Sequence, residues 1–239
     1  MKKPVFYTEL AYVLGIVFVA MGAALMDRAD FGMSMVVAPA YLLYRWLGPV
    51  VGLTFGTAEY CFQALLLFVL ALVLRRFRLS YLFSFVTAVI YGFVLDLCMA
   101  AGTMLPAGTL WLRGLWYVLG LLSCAFGVSM MFHTYFSPEV YELFVKELSS
   151  RFGWEIHRVK TAYDCVSCAA ALGMSFLIFG PWQFIGVKAG TILCALVNGW
   201  TIGRFSSFFE ARFDFRDALP WRPLFTGVPK ERPTEPDPS

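Results

Sequence analysis

Runs of about twenty apolar residues alternate along this chain with short polar breaks, a period neither of half-buried strands nor of amphipathic surface helices. The runs cover 7–27, 54–74, 81–104, 112–132, 161–180 and 185–205. As helices, each is long enough to cross about 30 Å of hydrocarbon. The pattern predicts six spanning helices. Two further periodic segments, SMVVAPAYLLYRWLG at 34–48 and SPEVYELFVKELSS at 137–150, would reach only about 22 Å and are too short to cross unaided. Their length leaves re-entrant, interfacial and spanning arrangements all open.

Positive charge decides how to orient the runs, because Lys and Arg gather on the cytoplasmic side. If the two short segments do not cross, the N-terminus, Arg75-Arg76-Phe77-Arg78, the stretch from Lys146 to Lys160 and the basic C-terminal tail fall on one side. Only scattered charges such as Arg28, Arg45, Arg113 and Lys188 remain on the other. This predicts a multi-pass protein of a bacterial inner membrane with both termini cytoplasmic. The first run follows Lys2 and Lys3 like a signal peptide. It is too long for a cleaved h-region and carries no small-residue cleavage pattern, so it reads as a retained first span. The tail RPLFTGVPKERPTEPDPS after Trp221 is rich in Pro and charge, and the expectation is partial disorder.

Composition supports the pattern. Hydrophobic residues make up 59% and charged residues 15% of 239 residues, and the mean hydropathy is +0.70. Soluble domains are nearer half apolar and a quarter charged. No separate soluble domain fits beside six spans, and the net charge of +3 sits in the loops, so it is no nucleic-acid footprint. All six cysteines lie in apolar stretches, where they behave as small hydrophobes. Cys165 and Cys168 form a C-x-x-C on an apolar helix without a second ligand pair, which predicts no metal site. Phosphate loops, nucleophile elbows, metalloprotease motifs and dinucleotide fingerprints are absent. The expectation is therefore a protein that is not an enzyme and needs no cofactor. Its partners would be the lipid bilayer and a small-molecule substrate, with a homo-oligomer left open.

Sliding the chain on itself by about 105 residues aligns MGAALMDRADFG (21–32) with FGVSMMFHTYFS (126–137). Gly22 then meets Gly127, Met26 meets Met131 and Phe31 meets Phe136. Thr57-Ala58-Glu59-Tyr60-Cys61 falls on Thr161-Ala162-Tyr163-Asp164-Cys165, and Ala88 with Gly92 falls on Ala195 with Gly199. Three spans and one short helix recur. An odd number of spans per copy inverts the second copy in the membrane, the design of secondary transporters whose site lies between interrupted helices. Ser137-Pro138-Glu139 is a strong helix start, with Ser as cap, Pro in the first helical position and Glu against the positive dipole end. Phe31-Gly32-Met33-Ser34 occupies the equivalent place with a weaker signal. The predicted fold is an all-α membrane protein of six transmembrane helices in two inverted three-helix repeats, each with a short broken or re-entrant helix. The repeats cover 1–104 and 105–206, and a cytoplasmic tail covers 207–239.

The segments GAALMDRADFGMS (22–34), TFGTAEYC (54–61), FGWEIHRVKTAYD (152–164) and GVKAGTILCALVNG (186–199) resemble the YczE/YyaS/YitT group of bacterial integral membrane proteins. The resemblance covers about residues 8–205 and implies a multispan protein suspected of transport, with no substrate or catalytic residues attached. The first copy departs from that group, because Pro39 comes five residues after Ser34 and Asp30 replaces a neutral turn residue.

Function must then come from polar residues at membrane depth, each of which costs about 2.5–3.5 kcal/mol or more unless it faces protein or water. Asp96, deep in its run, is the leading candidate, its plain alternative being a hydrogen bond to a neighbouring helix. Glu59 and Gln63 lie one turn apart on a face shared with Gly56; an interfacial carboxylate is the plain alternative. Asp27 and Asp30 flank Arg28 at the end of the first run, and these carboxylates with Asp96 are expected to line one outward vestibule suited to a cation or a proton. His133 sits in the second break, as a titrating group or an anchor. Glu139 begins the second short helix, and Asn198 lies deep in the last run, as substrate ligand or helix glue. Asp164 is expected to pair with Lys160 at the boundary. Two function classes compete: an ion-coupled small-molecule transporter or exporter, and an accessory or scaffold protein that supports a partner enzyme or receptor. Ten Met and six Cys keep a soft metal such as Cu(I) as a minor substrate idea.

Overall fold

In a computed structural model, residues 3–75, 77, 80–106, 108–136, 139–180 and 185–220 are described. Among them run eight helices: α1 (Thr8–Ala29), α2 (Ala38–Val51), α3 (Phe55–Leu74), α4 (Ser80–Gly102), α5 (Leu110–Phe132), α6 (Val140–Phe152), α7 (Ile156–Phe179) and α8 (Ala189–Arg212). Five of these, α1, α3, α4, α5 and α7, are long and apolar enough to cross a membrane. Their outward faces carry large apolar side chains such as Phe68, Phe93, Leu97, Val118 and Leu177, which only hydrocarbon would solvate without penalty. The chain is an all-helical multispan membrane protein.

The sixth expected span is not among those five. Its helix, α8, begins four residues later than the apolar run and ends at Arg212, so the boundary expected at 207 falls inside a helix. Asn198, Arg204, Glu210 and Arg212 interrupt its apolar sequence. A second departure from an all-α fold is a short parallel ladder of β1 (Val5–Tyr7) on β2 (Asp214–Arg216), with Val5 opposite Asp214 and Tyr7 opposite Arg216. The first and last elements thus lie side by side. The Glu9 carboxylate locks this end, accepting the backbone N–H groups of Ala218 at 3.0 Å and Leu219 at 2.9 Å and the Tyr135 hydroxyl at 2.8 Å.

Helix α1 is the hub and packs on both α4 and α5. It meets α5 antiparallel, Gly15 facing Gly127 and Gly22 facing Gly120. A Cβ at Gly22 would stand 2.6 Å from the Gly120 carbonyl oxygen, so only glycine admits this approach. Tyr12 to Thr87 and Ala24 to Gly102 set α4 parallel to α1. Tyr117 to Gly190 and Phe126 to Phe205 set α8 parallel to α5. Helix α3 returns along α4, with Gly56 against Gly92 so closely that a Cβ at Gly56 would collide with the Gly92 carbonyl.

The two short helices have buried starts and exposed ends. In α2, Ala38, Pro39, Ala40, Tyr41 and Leu42 are buried while Pro49, Val50 and Val51 are exposed; α6 buries Val140, Tyr141 and Val145. Helix α2 packs on α3 and α7, and α6 packs on α3 and α7. The start of α2 lies four residues past Ser34, whose carbonyl accepts Val37 and Ala38 N–H in a preceding turn. Pro39 is then an ordinary first-turn proline, which accounts for its displacement from Ser34. Helix α6 starts at Val140 with Glu139 in the capping position. Ser137 and Pro138, like Arg76, Arg78 and the tail from 221, lie outside the described residues.

Candidate functional site

Helix α3 brings two polar side chains, Glu59 and Gln63, one turn apart onto a fully buried face; both residues are 0% exposed. They meet the start of α6. Gln63 Oε1 accepts the Val140 N–H at 3.0 Å, which satisfies one of the free donors that every helix N-terminus leaves. Its Nε2 reaches Glu59 Oε1 and Glu139 Oε2, both at 3.4 Å. The Tyr141 hydroxyl donates to Glu59 Oε1 at 2.6 Å. Glu59 Oε2 has no hydrogen-bond partner among the described residues, and neither has the buried hydroxyl of Tyr91 on α4. Glu139 as a residue is half-buried, and its carboxyl turns inward to Gln63 on α3. The arrangement is a glutamate pair bridged by a glutamine at a positive helix end. Such a cluster can hold a proton or a cation, since two adjacent carboxylates resist double ionisation.

A second polar region lies at the C-terminal end of α1, beside the start of α3 and within about one turn of Glu59. A cavity of about 710 Å³ is lined there by residues of α1 to α4, among them Asp27, Tyr44, Arg45, Phe55 and Asp96. Asp27 Oδ1 accepts the Tyr41 hydroxyl at 2.7 Å, and the Arg45 guanidinium lies over the Tyr41 ring, 5.9 Å from its centre. Asp96 works differently. Its Oδ1 accepts the Gly56 N–H and its Oδ2 accepts the Thr54 hydroxyl, both at 2.7 Å. Thr54 is itself the N-cap of α3 and accepts Thr57 N–H at 3.1 Å. Asp96 is thus a helix cap supplied from the neighbouring helix, with its charge at the positive end of α3.

The eight residues singled out from the sequence therefore separate. Asp27 and Asp96 do share one vestibule, but Asp30 does not: it adopts a left-handed conformation as the cap of α1 and pairs with Lys188 at 2.6 Å and Arg113 at 3.2 Å. Arg28 donates to the Leu105 carbonyl at 2.7 Å and ties down the α4–α5 connection. His133 bonds Ser206 Oγ at 3.0 Å and stacks on Phe215, an anchor at the β-ladder end. Glu59 and Glu139 come together through Gln63. Asn198 stands apart, its Oδ1 buried without a hydrogen-bond partner among the described residues. Asp164, expected to pair with Lys160, keeps one buried oxygen, Oδ1, without a hydrogen-bond partner among the described residues.

Among the described residues the vestibule is lined by the first half of the chain, where the repeat led one to expect lining from both breaks. The reason is local. The start of α2 is buried beside the end of α1, and α3 and α4 close the remaining walls. Sequence reasoning did not single out Tyr141, Tyr91, Tyr41 or Arg45. Aromatic residues in apolar runs give no signal of a hydroxyl partner, and Arg45 reads as a loop charge until α2 carries it against Tyr41. Gln63 was visible only as the second member of a polar stripe.

Residues 6–207 match the family of unknown function DUF6198. No curated protein and no solved structure matches the chain.

Proposed function

Because the chain belongs to the DUF6198 family of unknown function, we propose its activity from its own residues: a secondary transporter or exporter of a small molecule, driven by a proton gradient. The observation that carries this reading is Glu59, a carboxylate with no exposure one turn inside the start of the apolar helix α3, one oxygen unpartnered among the described residues and the other held by Tyr141. A charge so placed is costly and is retained in membrane proteins chiefly along ion and substrate paths. Glu139, bridged to it by Gln63, supplies a second proton acceptor.

The proposal includes six crossings, α8 being the sixth, in two inverted repeats. Several pairings support it. Gly15 and Gly22 of α1 stand 105 residues from Gly120 and Gly127 of α5, and they cross reciprocally, Gly15 on Gly127 and Gly22 on Gly120, as a two-fold axis between the copies requires. Equivalent helices then run in opposite directions. The exchange of short helices, α2 onto α7 and α6 onto α3, follows the same relation, and α8 carries an outward apolar face of Ile192, Leu196 and Trp200. In this reading the α2 and α6 hairpins enter from opposite sides, and the ladder end of the molecule is cytoplasmic in a bacterial inner membrane. The resemblance to the YczE/YyaS/YitT group belongs to the same proposal.

Reconstituted into liposomes, the protein should move members of a panel of labelled amino acids and amines under an imposed proton gradient. Glu59→Gln, which keeps an acceptor for Tyr141, should abolish the dependence on that gradient. Failure to move any of them under a proton or a sodium gradient would refute the transport reading. A specific observation favours the accessory-protein alternative. Of Asp96, Glu59, His133 and Asn198, only Asp96 lines the 710 Å³ cavity, so that cavity does not join the four.

A further inference from the structure

The vestibule at the α1 end holds an acidic and a basic side chain that form no ion pair with each other. Asp27 spends one carboxylate oxygen on the Tyr41 hydroxyl, and the other has no hydrogen-bond partner among the described residues. Arg45, four residues along α2 from Tyr41, rests on the face of the same ring and forms no ion pair with any described carboxylate within 4.0 Å. One phenol ring therefore stands between a carboxylate and a guanidinium, its hydroxyl turned to the first and its face to the second. The remaining acidic group in the wall, Asp96, has both oxygens committed to the cap of α3 and does not compete for a ligand cation.

The rest of the wall suits an apolar body. Tyr44 and Phe55 stack at 5.7 Å, and Met99 and Leu53 complete that side. The volume of about 710 Å³ lies within the range of small-molecule sites, which combine apolar walls with a few placed polar groups. From this juxtaposition we propose that the cavity between α1, α2, α3 and α4 binds a small zwitterion, with its ammonium on Asp27, its carboxylate on Arg45 and an apolar side group against Tyr44 and Phe55. A simple amine would leave Arg45 unpaired and a simple acid would leave Asp27 unpaired. Each loses one charge-assisted hydrogen bond, and discrimination against both follows. The proposal deepens the transport reading by giving its substrate class, and the binding itself requires no gradient.

The test is equilibrium binding to the full chain in lipid nanodiscs, with leucine and phenylalanine as probes. Each is compared with its decarboxylated amine, isopentylamine or phenethylamine, and with its deaminated acid, 4-methylpentanoate or 3-phenylpropanoate. The amino acids should bind at least about tenfold more tightly than either partner compound. Asp27→Asn, which preserves the acceptor for Tyr41, and Arg45→Gln, at an exposed position, should each lower amino-acid affinity by about tenfold or more. Gly199→Ala, where nothing lies within 4 Å of the added Cβ, should leave it unchanged. The comparison of the three compound types on the unaltered protein needs no variant to fold. Amines binding as tightly as amino acids, no binding of either amino acid, or full affinity in both variants would each overturn the zwitterion site. If zwitterions bind as proposed but no gradient moves them, the transport reading falls and the site stands. If amines are transported and zwitterions do not bind, the reverse holds.

Discussion

Replacing Gln63 by Leu isolates the junction between α3 and α6. The two side chains have similar volume, and the position is 0% exposed, so packing is nearly conserved while three hydrogen bonds are removed. Glu59 keeps the Tyr141 hydroxyl and loses little. The Val140 N–H loses its acceptor at 3.0 Å, and Val140 itself is 0% exposed, so water cannot substitute. An unsatisfied buried donor costs about 1–3 kcal/mol in a soluble core. Membrane proteins fall toward the lower end, because the competing states also find partners. A cost of about 1 kcal/mol corresponds to about a fivefold shift in the local opening equilibrium. Hydrogen exchange by mass spectrometry on a peptide spanning 139–142 should therefore run at least about fivefold faster in Gln63→Leu. In Gln63→Glu an acceptor for Val140 remains, and exchange there should stay slow, although a third carboxylate now stands between Glu59 and Glu139. If Val140 exchanges at the unaltered rate in Gln63→Leu, with an unchanged melting temperature, Gln63 does not hold the start of α6 and the junction described here is wrong.

Two further substitutions test the frame around the site. Gly22→Val would set a branched side chain against the Gly120 carbonyl and should destabilise the protein by about 1–3 kcal/mol, read as a fall in melting temperature in detergent. Gly199→Ala, where nothing lies within 4 Å of the added Cβ, should leave the melting temperature unchanged or slightly raised; equal losses in both would refute the close α1–α5 crossing. Glu9→Ala should free Ala218 and Leu219 from the α1 start and speed proteolytic cleavage of the segment after β2, with cleavage at the unaltered rate counting against the Glu9 lock.

Much of the architecture was legible because a bilayer imposes a one-dimensional rule. Backbone groups in hydrocarbon must be satisfied within the segment, so run length and charge placement mark helices directly. The runs at 7–27, 54–74 and 112–132 correspond to α1, α3 and α5 within a few residues, and both short helices exist where their period put them. Depth along a run was equally readable and pointed first to Asp96, whereas Glu59 drew notice through the polar stripe it forms with Gln63. The run at 185–205 was less secure. Polar residues along α8 interrupt its apolar sequence, and the ladder at residues 214–216 depends on residues 5–7, more than two hundred positions away.

What the sequence could not contain is the direction each side chain faces and what waits there. Asp96 and Glu59 are both carboxylates within apolar runs, and hydropathy treats them alike. Packing separates them. The Gly56–Gly92 contact draws α3 against α4 until Asp96 caps the α3 N-terminus, while the opposite placement of α6 brings Tyr141, 82 residues away, onto Glu59. Asp27 and Asp30 are three residues apart, yet the left-handed turn at Asp30 sends one to Lys188 and Arg113 and leaves the other facing Tyr41. Hydrophobic length is a property of a segment and is written locally. Partnership among polar groups depends on rotation about each helix axis and on which helices touch, and only the assembled bundle decides that.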